Sequence, residues 1–261
     1  MVNLLDLKEI LKWVIMQMNN GRYDDNKQLF SVAIHQQMWT PQTIIPAGQG
    51  AYNTHFAAYG LGWFMSDVKG YKEINHTGGI TGMVTKITLI PELKLAIIVL
   101  TNQESGAAFN AITNQIKDSY LGITGKDWVK TYDDAAKRSK AGNNALIEKI
   151  WKQSDDSKKA GVKVDTAVLG TYHDNWLGDA VITYDDGKFI FRAKRSPKLT
   201  GEMLPYKANT YIVKWNIRSM DADAFITFSF DENGKPSGFK MKPISPATDF
   251  SFDFQDLDFH R

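Results

Sequence analysis

Residues 59–102 decide the fold; they begin Tyr59-Gly-Leu-Gly-Trp-Phe-Met65 and end Leu95-Ala-Ile-Ile-Val-Leu100-Thr-Asn102. Residues 59–65 and 72–75 are typical of extended chain joined by a turn. Residues 85–90 alternate polar and apolar, as a strand with one buried face does. Leu95–Leu100 is an unbroken apolar run, which predicts a strand covered on both faces. The stretch therefore predicts an antiparallel meander.

His76-Thr77-Gly78-Gly79 is predicted to lie where the first of these strands ends. Glycines let a ligand approach the backbone closely, and their N–H groups can face a developing oxyanion. Thr77 offers a hydroxyl and His76 a ring donor. The same residues, with Gly82, also fit a bulge or tight strand connection beside an ordinary surface histidine. Four residues alone do not decide between these interpretations.

The wider pattern resembles the last third of a serine β-lactamase-like domain. The family includes class C β-lactamases, D-alanyl-D-alanine peptidases and related esterases. The segments that carry the resemblance are Tyr59-Gly-Leu-Gly-Trp-Phe64, His76-Thr-Gly-Gly-Ile-Thr-Gly82, Ile90-Pro-Glu92 and Ile97-Ile-Val-Leu-Thr-Asn102, preceded by residues 6–21 and 38–42.

The family's third motif is Lys-Thr-Gly, or His-Thr-Gly in some branches. The resemblance therefore implies that His76 and Thr77 contact the substrate, that Gly78 completes the motif, and that Gly79 supplies an oxyanion-hole N–H. Asn102 is either a residue pointing towards this site or a turn-forming asparagine.

The nucleophile that the resemblance implies is missing. These enzymes acylate the serine of Ser-x-x-Lys at a helix start, helped by Tyr-x-Asn or Ser-x-Asn. Ser66-Asp-Val-Lys69 is predicted in a turn between strands and Ser237-Gly-Phe-Lys240 in a hairpin, and neither Tyr-x-Asn nor Ser-x-Asn occurs. We expect a C-terminal fragment or degenerate relative of such a hydrolase, inactive by itself.

Composition narrows the function class. The chain has 261 residues, 43% of them hydrophobic and 23% charged, a net charge of +2 and no cysteine. This is ordinary for a globular protein, argues against nucleic acid as a partner, and excludes thiolate chemistry. No apolar run approaches the roughly 20 residues of a membrane span. His35 and His55 are isolated, so we predict neither a metal site nor a cofactor.

Residues 3–20 are predicted to form a helix that packs on the core. Leu4, Leu7, Leu11, Val14 and Met18 recur at spacings of three and four, and Asn3 and Gly21 suit its ends. Mixed charges argue against a signal peptide or a membrane-surface helix. A chain that begins inside such a helix is typical of a truncated domain.

Three segments are expected. Residues 1–122 form the partial β-lactamase-like domain, with a last helix over residues 107–121, and residues 123–164 form a charged helical linker. Residues 165–261 have a period of two with Asp186-Gly187 and Asn233-Gly234 turns, which predicts a small all-β barrel. This segment resembles the lipocalin-like domain often appended to these hydrolases. The fold class is α+β: antiparallel strands with flanking helices, followed by a barrel.

The ligands implied by the resemblance are peptidoglycan-like, β-lactam or ester compounds. A non-catalytic binding module, using the barrel or the His-Thr-Gly cleft, is the alternative, although barrel aromatics more often fill a core. A third possibility is an enzyme completed by another polypeptide that supplies Ser-x-x-Lys. In the resembled fold Leu95–Leu100 pairs on one side with strands of the missing N-terminal part, so without them its edge groups would be unpaired. We therefore predict that the chain self-associates through this strand or covers the edge with its own linker.

Overall fold

The computed structural model describes residues 6–24, 27–48, 50–80 and 82–261. It divides into unit 1, residues 1–137, and unit 2, residues 138–261. The elements of unit 1 up to residue 121 are, in order, α1 (Leu7–Met18), β1 (Arg22–Tyr23), β2 (Lys27–Gln28), α2 (Val32–Met38), β3 (Thr43–Ile45), β4 (Ala57–Tyr59), β5 (Phe64–Val68), β6 (Tyr71–Ile80), β7 (Met83–Ile90), β8 (Leu95–Leu100) and α3 (Gly106–Leu121).

Unit 1 is built on a six-stranded antiparallel sheet in the order β3-β4-β5-β6-β7-β8. On one face, Ile74 and Leu89 pack with Val14 of α1. On the other, Ile97 and Val99 of β8 pack with Phe109 of α3. The sheet is thus the middle layer between two helices, and the predicted meander is confirmed.

Helix α1 differs from the prediction in the face that it buries. Asp6 is its N-cap, and the carboxylate accepts a hydrogen bond from the N–H of Glu9 at 2.9 Å. Asn3 and Leu4 lie outside the described residues. Val14 is buried, whereas Leu7 and Leu11 of the predicted core stripe are exposed.

Three predictions about the sheet were wrong in detail. His76–Gly79 is not at a strand end, because β6 continues through it and pairs with β7 as far as Ile80↔Met83. Ser66 lies inside β5 rather than in a turn. Leu95–Leu100 is fully buried on one face only: Leu95, Ile97 and Val99 are buried, whereas on the other face Ile98 packs partly against the cluster around α1 and Leu100 is 41% exposed. Although all six residues are apolar, they alternate between the buried and the more exposed face of the sheet, as in an ordinary strand.

Two helices follow the sheet. α3 begins at an N-cap, Ser105, and ends at Gly122, whose φ of +65° favours glycine. α4 (Trp128–Lys159) occupies most of the segment predicted as a charged linker, and the division between the units falls within it. Among the described residues, none of the helices is both long and apolar enough to cross a bilayer.

Unit 2 contains a closed antiparallel barrel of eight strands, as predicted. They are β9 (Gly170–Asp174), β10 (Gly178–Asp185), β11 (Lys188–Ala193), β12 (Thr200–Lys207), β13 (Thr210–Trp215), β14 (Ala224–Phe230), β15 (Pro236–Pro243) and β16 (Asp258–His260). The interior is filled by aromatic side chains that are almost fully buried, namely Tyr172, Phe191, Trp215, Phe228, Phe239, Phe254 and Phe259.

Two strands of the barrel were predicted wrongly. β12 was missed because Gly201 and Pro205 are typical strand breakers. Gly201 is required there, since a Cβ would stand 2.4 Å from the carbonyl oxygen of Lys214, and the register shifts after Pro205. Residues 250–254, where the period of two predicts a strand, form a pair of 3₁₀ turns instead, and the closing strand is β16.

The second half of α4 packs within unit 2. Ile150 joins Ile212 and Ile244 in a small apolar cluster. The hydroxyls of Ser154 and Ser157 each donate at 2.8 Å, to the carbonyl oxygens of Pro205 and Tyr206. These bonds satisfy strand carbonyls at the point where the register shifts.

Two glycine-to-alanine substitutions distinguish the contribution of the barrel from that of helix α4 to the stability of unit 2. Gly238→Ala places a Cβ 2.2 Å from the carbonyl oxygen of Phe259, between β15 and β16, so we expect unit 2 to lose about 2–3 kcal/mol. Gly142 lies in α4, where an added Cβ would meet nothing within 4 Å, so Gly142→Ala should stabilise by about 0.5–1 kcal/mol. Hydrogen exchange of β13 amides measures both, and equal effects would contradict the barrel closure described.

Candidate functional site

The predicted motif lies on the half of β6 that has a single strand neighbour. β5 stops pairing at Phe64↔Asn75, whereas β7 pairs with β6 up to Ile80. Over residues 76–80 the side of β6 opposite β7 has no strand partner in the described part of the chain. Alternate N–H and C=O groups of this segment therefore point outward unpaired. Thr77, Gly78 and Gly79 are exposed.

His76 is held by two aromatic side chains. The hydroxyl of Tyr59 lies 3.0 Å from Nε2 of His76, and either group can donate depending on the tautomer. The ring of Phe64 stacks on the imidazole at 5.8 Å and packs edge-on against Tyr59 at 4.6 Å. β4 and the start of β5 thus orient the histidine. Sequence analysis quoted both aromatics in the motif but assigned them no role.

Gly78 and Gly79 differ in how much space surrounds the position of an added Cβ. A Cβ on Gly78 would stand 2.9 Å from Oγ1 of Thr85, so a side chain there would require the Thr85 side chain to move. A Cβ on Gly79 would make an ordinary contact, 3.5 Å from Val84. Gly82, with φ of +86°, lies in the connection between the strands. The tight connection considered earlier therefore applies to Gly82, and the other two form bare strand.

Asn102 lies at the same end of the sheet as the motif but not beside it. It occupies an exposed bend after β8. The N–H of the preceding Thr101 bonds the carbonyl oxygen of Val84, and Val84 pairs with Gly79. β7 therefore separates Asn102 from β6.

Neither Ser-x-x-Lys match has the geometry of an activated serine. Ser66 is in β5, and Nζ of Lys69 donates to the carbonyl oxygen of Leu121 at 2.6 Å. Ser237 is in β15, where Lys240 faces Asp258 at 3.6 Å. Both serines lie on strands rather than at helix starts, and both lysines are engaged elsewhere.

A buried polar cluster lies against the face of β6 and β7 that packs on α3. Nζ of Lys117 on α3 bonds Oε2 of Glu73 at 2.6 Å, with both side chains under a tenth exposed. The same ammonium lies 3.9 Å above the ring of Tyr52. Asn75 donates to the other oxygen of Glu73 at 3.3 Å. The carboxylate therefore joins α3 to the strand just before its half-free segment begins.

The cluster continues beneath Thr77. Lys86 pairs in register with Thr77, and its Nζ donates to Oδ1 of Asn110 on α3 at 2.7 Å. Burial lowers the pKa of Lys86, with Lys117 adding to the effect and Glu73 opposing it. Burial, together with the hydrogen bond to Asp118, raises the pKa of Tyr52.

The cluster is absent from the sequence-based predictions, although the sequence contains a signal for it. Glu73 and Asn75 occupy alternate positions of one strand, and Lys86 and Thr88 occupy alternate positions of the next. Polar residues at every second position of neighbouring strands mark a shared polar face. Among the described residues, His, Asp and Glu side chains form no group of three that could hold a metal ion.

The Glu73–Lys117 pair can be tested with a double-mutant cycle. Glu73→Gln and Lys117→Met should each destabilise unit 1 by about 3–5 kcal/mol, because each leaves a buried partner uncompensated. The double variant should cost clearly less than the sum. Urea unfolding followed by tryptophan fluorescence measures all three. Lys12→Met, which removes an exposed pair with Glu9, is the control and should change little. Strict additivity would contradict a coupled buried pair.

Comparisons with known proteins agree with this geometry. Residues 6–121 match the family model described as Beta-lactamase. Unit 1 is a β-lactamase-like domain. The recognition made from the His-Thr-Gly stretch is thereby confirmed. Residues 166–261 match a domain of unknown function, DUF3471. The structure shows that this segment forms a barrel, and its lipocalin-like character stays a prediction.

Two curated proteins to which this chain is similar are fungal hydrolases. It is 28% identical over 166 residues to unguisins hydrolase ungD of Aspergillus violaceofuscus, covering 60% of this chain and 29% of that protein. It is 22% identical over 244 residues to unguisins hydrolase ungD' of Aspergillus campestris, covering 89% and 44%. The chain thus spans less than half the length of these relatives. They support a hydrolase-related function.

One solved structure is similar at low identity. It is the octameric penicillin-binding protein homologue from Pyrococcus abyssi, at 17% identity and a TM-score of 0.39, covering 98% of this chain and 46% of that one.

Proposed function

We propose that the β-lactamase-like domain supplies the substrate-binding strand of a serine hydrolase acting on an amide or ester, and that these 261 residues do not form an acyl-enzyme by themselves. The ligands expected are β-lactams, esters or peptidoglycan-like peptides. The serine nucleophile would come from polypeptide outside these residues.

The observation that carries the proposal is the half-free strand at His76–Gly79. Its outer peptide groups are unpaired and exposed, and Gly78 and Gly79 place no side chain over them. An extended substrate can therefore add to this edge through main-chain hydrogen bonds. His76, oriented by Tyr59, and the hydroxyl of Thr77 are the side-chain donors next to that edge.

The positions of Ser66 and Ser237 support the second half of the proposal. Activation of a serine requires a base within hydrogen-bonding reach. Lys69 is instead bonded to the end of α3, and Lys240 faces Asp258. The resembled reaction therefore lacks its nucleophile–base pair at both matches.

A non-catalytic binding module is the second candidate, and the structure favours the strand over the barrel as its binding site. Seven aromatic side chains fill the barrel interior, each less than 2% exposed. A ligand would have to displace this packed core. The edge of β6 needs no such rearrangement.

Covalent labelling tests the absence of an acyl-enzyme. We expect no mass increase of the purified chain with a fluorophosphonate, and no hydrolysis of a chromogenic cephalosporin or a p-nitrophenyl ester. Ser66→Ala and Ser237→Ala are the matched controls for any labelling. Stoichiometric modification that either substitution removes would refute the proposal that the nucleophile lies elsewhere.

Binding tests the role of the strand separately. Thr77→Val should weaken binding of an intact cephalosporin or a D-alanyl-D-alanine peptide about tenfold, since one hydrogen bond is worth about 1–1.5 kcal/mol. Thr43→Val, at an exposed position of β3, is the control and should leave affinity unchanged. Isothermal titration calorimetry measures both. Equal affinities of wild type and Thr77→Val would remove Thr77 from the site.

A further inference from the structure

The last strand of the barrel in unit 2 is joined to the first by little backbone pairing. β16 is three residues long. Within residues 82–261, all of which the structure describes, the registered pair that joins β16 to β9 is His260↔His173. A side chain extends this seam, since the N–H of Asp258 donates to Oδ2 of Asp174 at 2.8 Å. The closure of the barrel therefore passes through two histidines.

These two histidines form a directly opposed pair on the outside of the barrel. Partners in an antiparallel ladder share one face of the sheet, with Cβ atoms about 5 Å apart. The side chain of His173 is 62% exposed and that of His260 is 73% exposed, so dissolved ions reach both rings. On the other side of His260, the paired residue of β15 is Gly238, which has no side chain. No side chain of that residue competes for the space beside the two rings.

Carboxylates lie beside both rings. Nδ1 of His173 lies 2.9 Å from Oδ1 of Asp179. An ionised carboxylate only accepts hydrogen bonds, so Nδ1 of a neutral His173 donates and its Nε2 keeps a free lone pair. Nε2 of His260 lies 3.6 Å from Oδ1 of Asp258. A carboxylate that holds one ring nitrogen while the other nitrogen binds an ion is the usual surrounding of a metal-ligating histidine.

The donor atoms select the class of ion. Imidazole suits Zn²⁺, Ni²⁺ and Cu²⁺, whereas Mg²⁺ and Ca²⁺ require carboxylate and carbonyl oxygens. Nζ of Lys194 lies 3.2 Å from Oδ2 of Asp179, and Nζ of Lys240 lies 3.6 Å from Oδ2 of Asp258. Because a lysine faces each carboxylate, the nearby oxygens offer little to Mg²⁺ or Ca²⁺.

Two opposed imidazole rings can meet the geometry of such an ion. Histidine nitrogens bind Zn²⁺ at about 2.0–2.1 Å, which sets two of them about 3.3 Å apart in a tetrahedral site. Rotation of two rings whose Cβ atoms are about 5 Å apart reaches that separation. Since the described His, Asp and Glu side chains form no group of three that could hold a metal ion, water would fill the remaining positions.

We propose that His173 and His260 together bind one transition-metal ion of this class, with Zn²⁺ as the probe, and that the ion joins β16 to β9. The prediction of no metal site rests on the isolation of His35 and His55, whereas this pair is brought together only by closure of the barrel. An ion held by both strands cross-links the first and the last of them where backbone pairing is shortest. Its binding should therefore stabilise the closed barrel.

Calorimetric titration of the full chain with ZnCl₂ tests the site, with NiCl₂ and MgCl₂ in parallel. We expect one Zn²⁺ per chain, binding of Ni²⁺ and no saturable binding of Mg²⁺. Amide hydrogen exchange of β9 and β16 should slow with Zn²⁺ and recover with EDTA. Asp179→Asn should weaken Zn²⁺ binding about tenfold, as loss of the carboxylate behind a ligating histidine does. His173→Gln and His260→Gln should each weaken it more than that, because a two-ligand site becomes a single ligand.

His55→Gln is the matched control. His55 is likewise exposed, at 65%, and its Nδ1 faces a carboxylate oxygen of Asp67 at 3.4 Å, but it lies outside the strands and has no partner in register. The substitution should leave the stoichiometry, the Zn²⁺ affinity and the protection of β16 unchanged.

Several outcomes would overturn the proposal. Absence of saturable Zn²⁺ binding would do so, as would binding that either histidine substitution leaves unchanged, which means an adventitious ion only. Equal binding of Mg²⁺ excludes imidazole as the ligand. Binding that needs both histidines but leaves exchange of β16 unaltered refutes the link between the strands.

A second measurement keeps the test independent of the variants. If a histidine variant unfolds by circular dichroism, the imidazole resonances of the wild-type chain decide. Two of the five histidines should respond to one equivalent of Zn²⁺, and unchanged resonances exclude the site. None of these readouts requires a substrate, so their failure is distinct from failure of the proposed function.

Discussion

The candidate site depends on one constraint: the two neighbours of β6 overlap only briefly. β5 pairs with residues 71–75 and β7 with residues 74–80, so residues 76–80 are held by β7 alone. A strand held on one side twists and bends unless its faces are packed. Glu73 is bonded to Lys117 just before the free half begins, and Lys86 is bonded to Asn110 directly across from Thr77. The edge is open to a ligand because α3 holds its position from below.

This arrangement explains why charged side chains are buried in unit 1 although their burial costs free energy. Burying Lys86 lowers its pKa, which means that the charged form is destabilised there. An apolar residue, such as Val99 on the neighbouring strand, would pack on α3 without that cost. Hydrogen bonds and ion pairs constrain the orientation of their partners more strictly than apolar contacts do. We attribute the buried polar cluster to the need to hold β6 in one position. The barrel of unit 2 instead fills its interior with aromatic side chains.

The sequence predicted the parts of the fold that local patterns specify. The meander, the last helix and the barrel hairpins follow from alternation, caps and turn dipeptides, and each is present. β12 was missed because Gly201 reads locally as a breaker, although close approach of Lys214 requires it. The exposed stripe of α1 was misassigned because periodicity reveals that a face is apolar but not what covers it. The motif residues follow from the resemblance, whereas the positions of Tyr59 and Lys86 beside them become clear only from the strand pairing in the structure.

Among the strand segments that lack a neighbour in the described part of unit 1, His76–Gly79 of β6 and the outer side of β8 differ in chemistry. The edge at His76–Gly79 is short, exposes peptide groups and carries almost no side-chain surface, so binding there gains hydrogen bonds but buries little apolar area. Weak, reversible binding of this kind is consistent with the substrate site that we propose. β8 presents branched aliphatic side chains instead, and its Leu100 is 41% exposed. Because apolar burial grows with area and does not depend on one ligand group, covering β8 gains more apolar area than covering His76–Gly79 does. Glycines in one strand and branched aliphatic residues in another therefore give the unpaired segments of one sheet different chemistry.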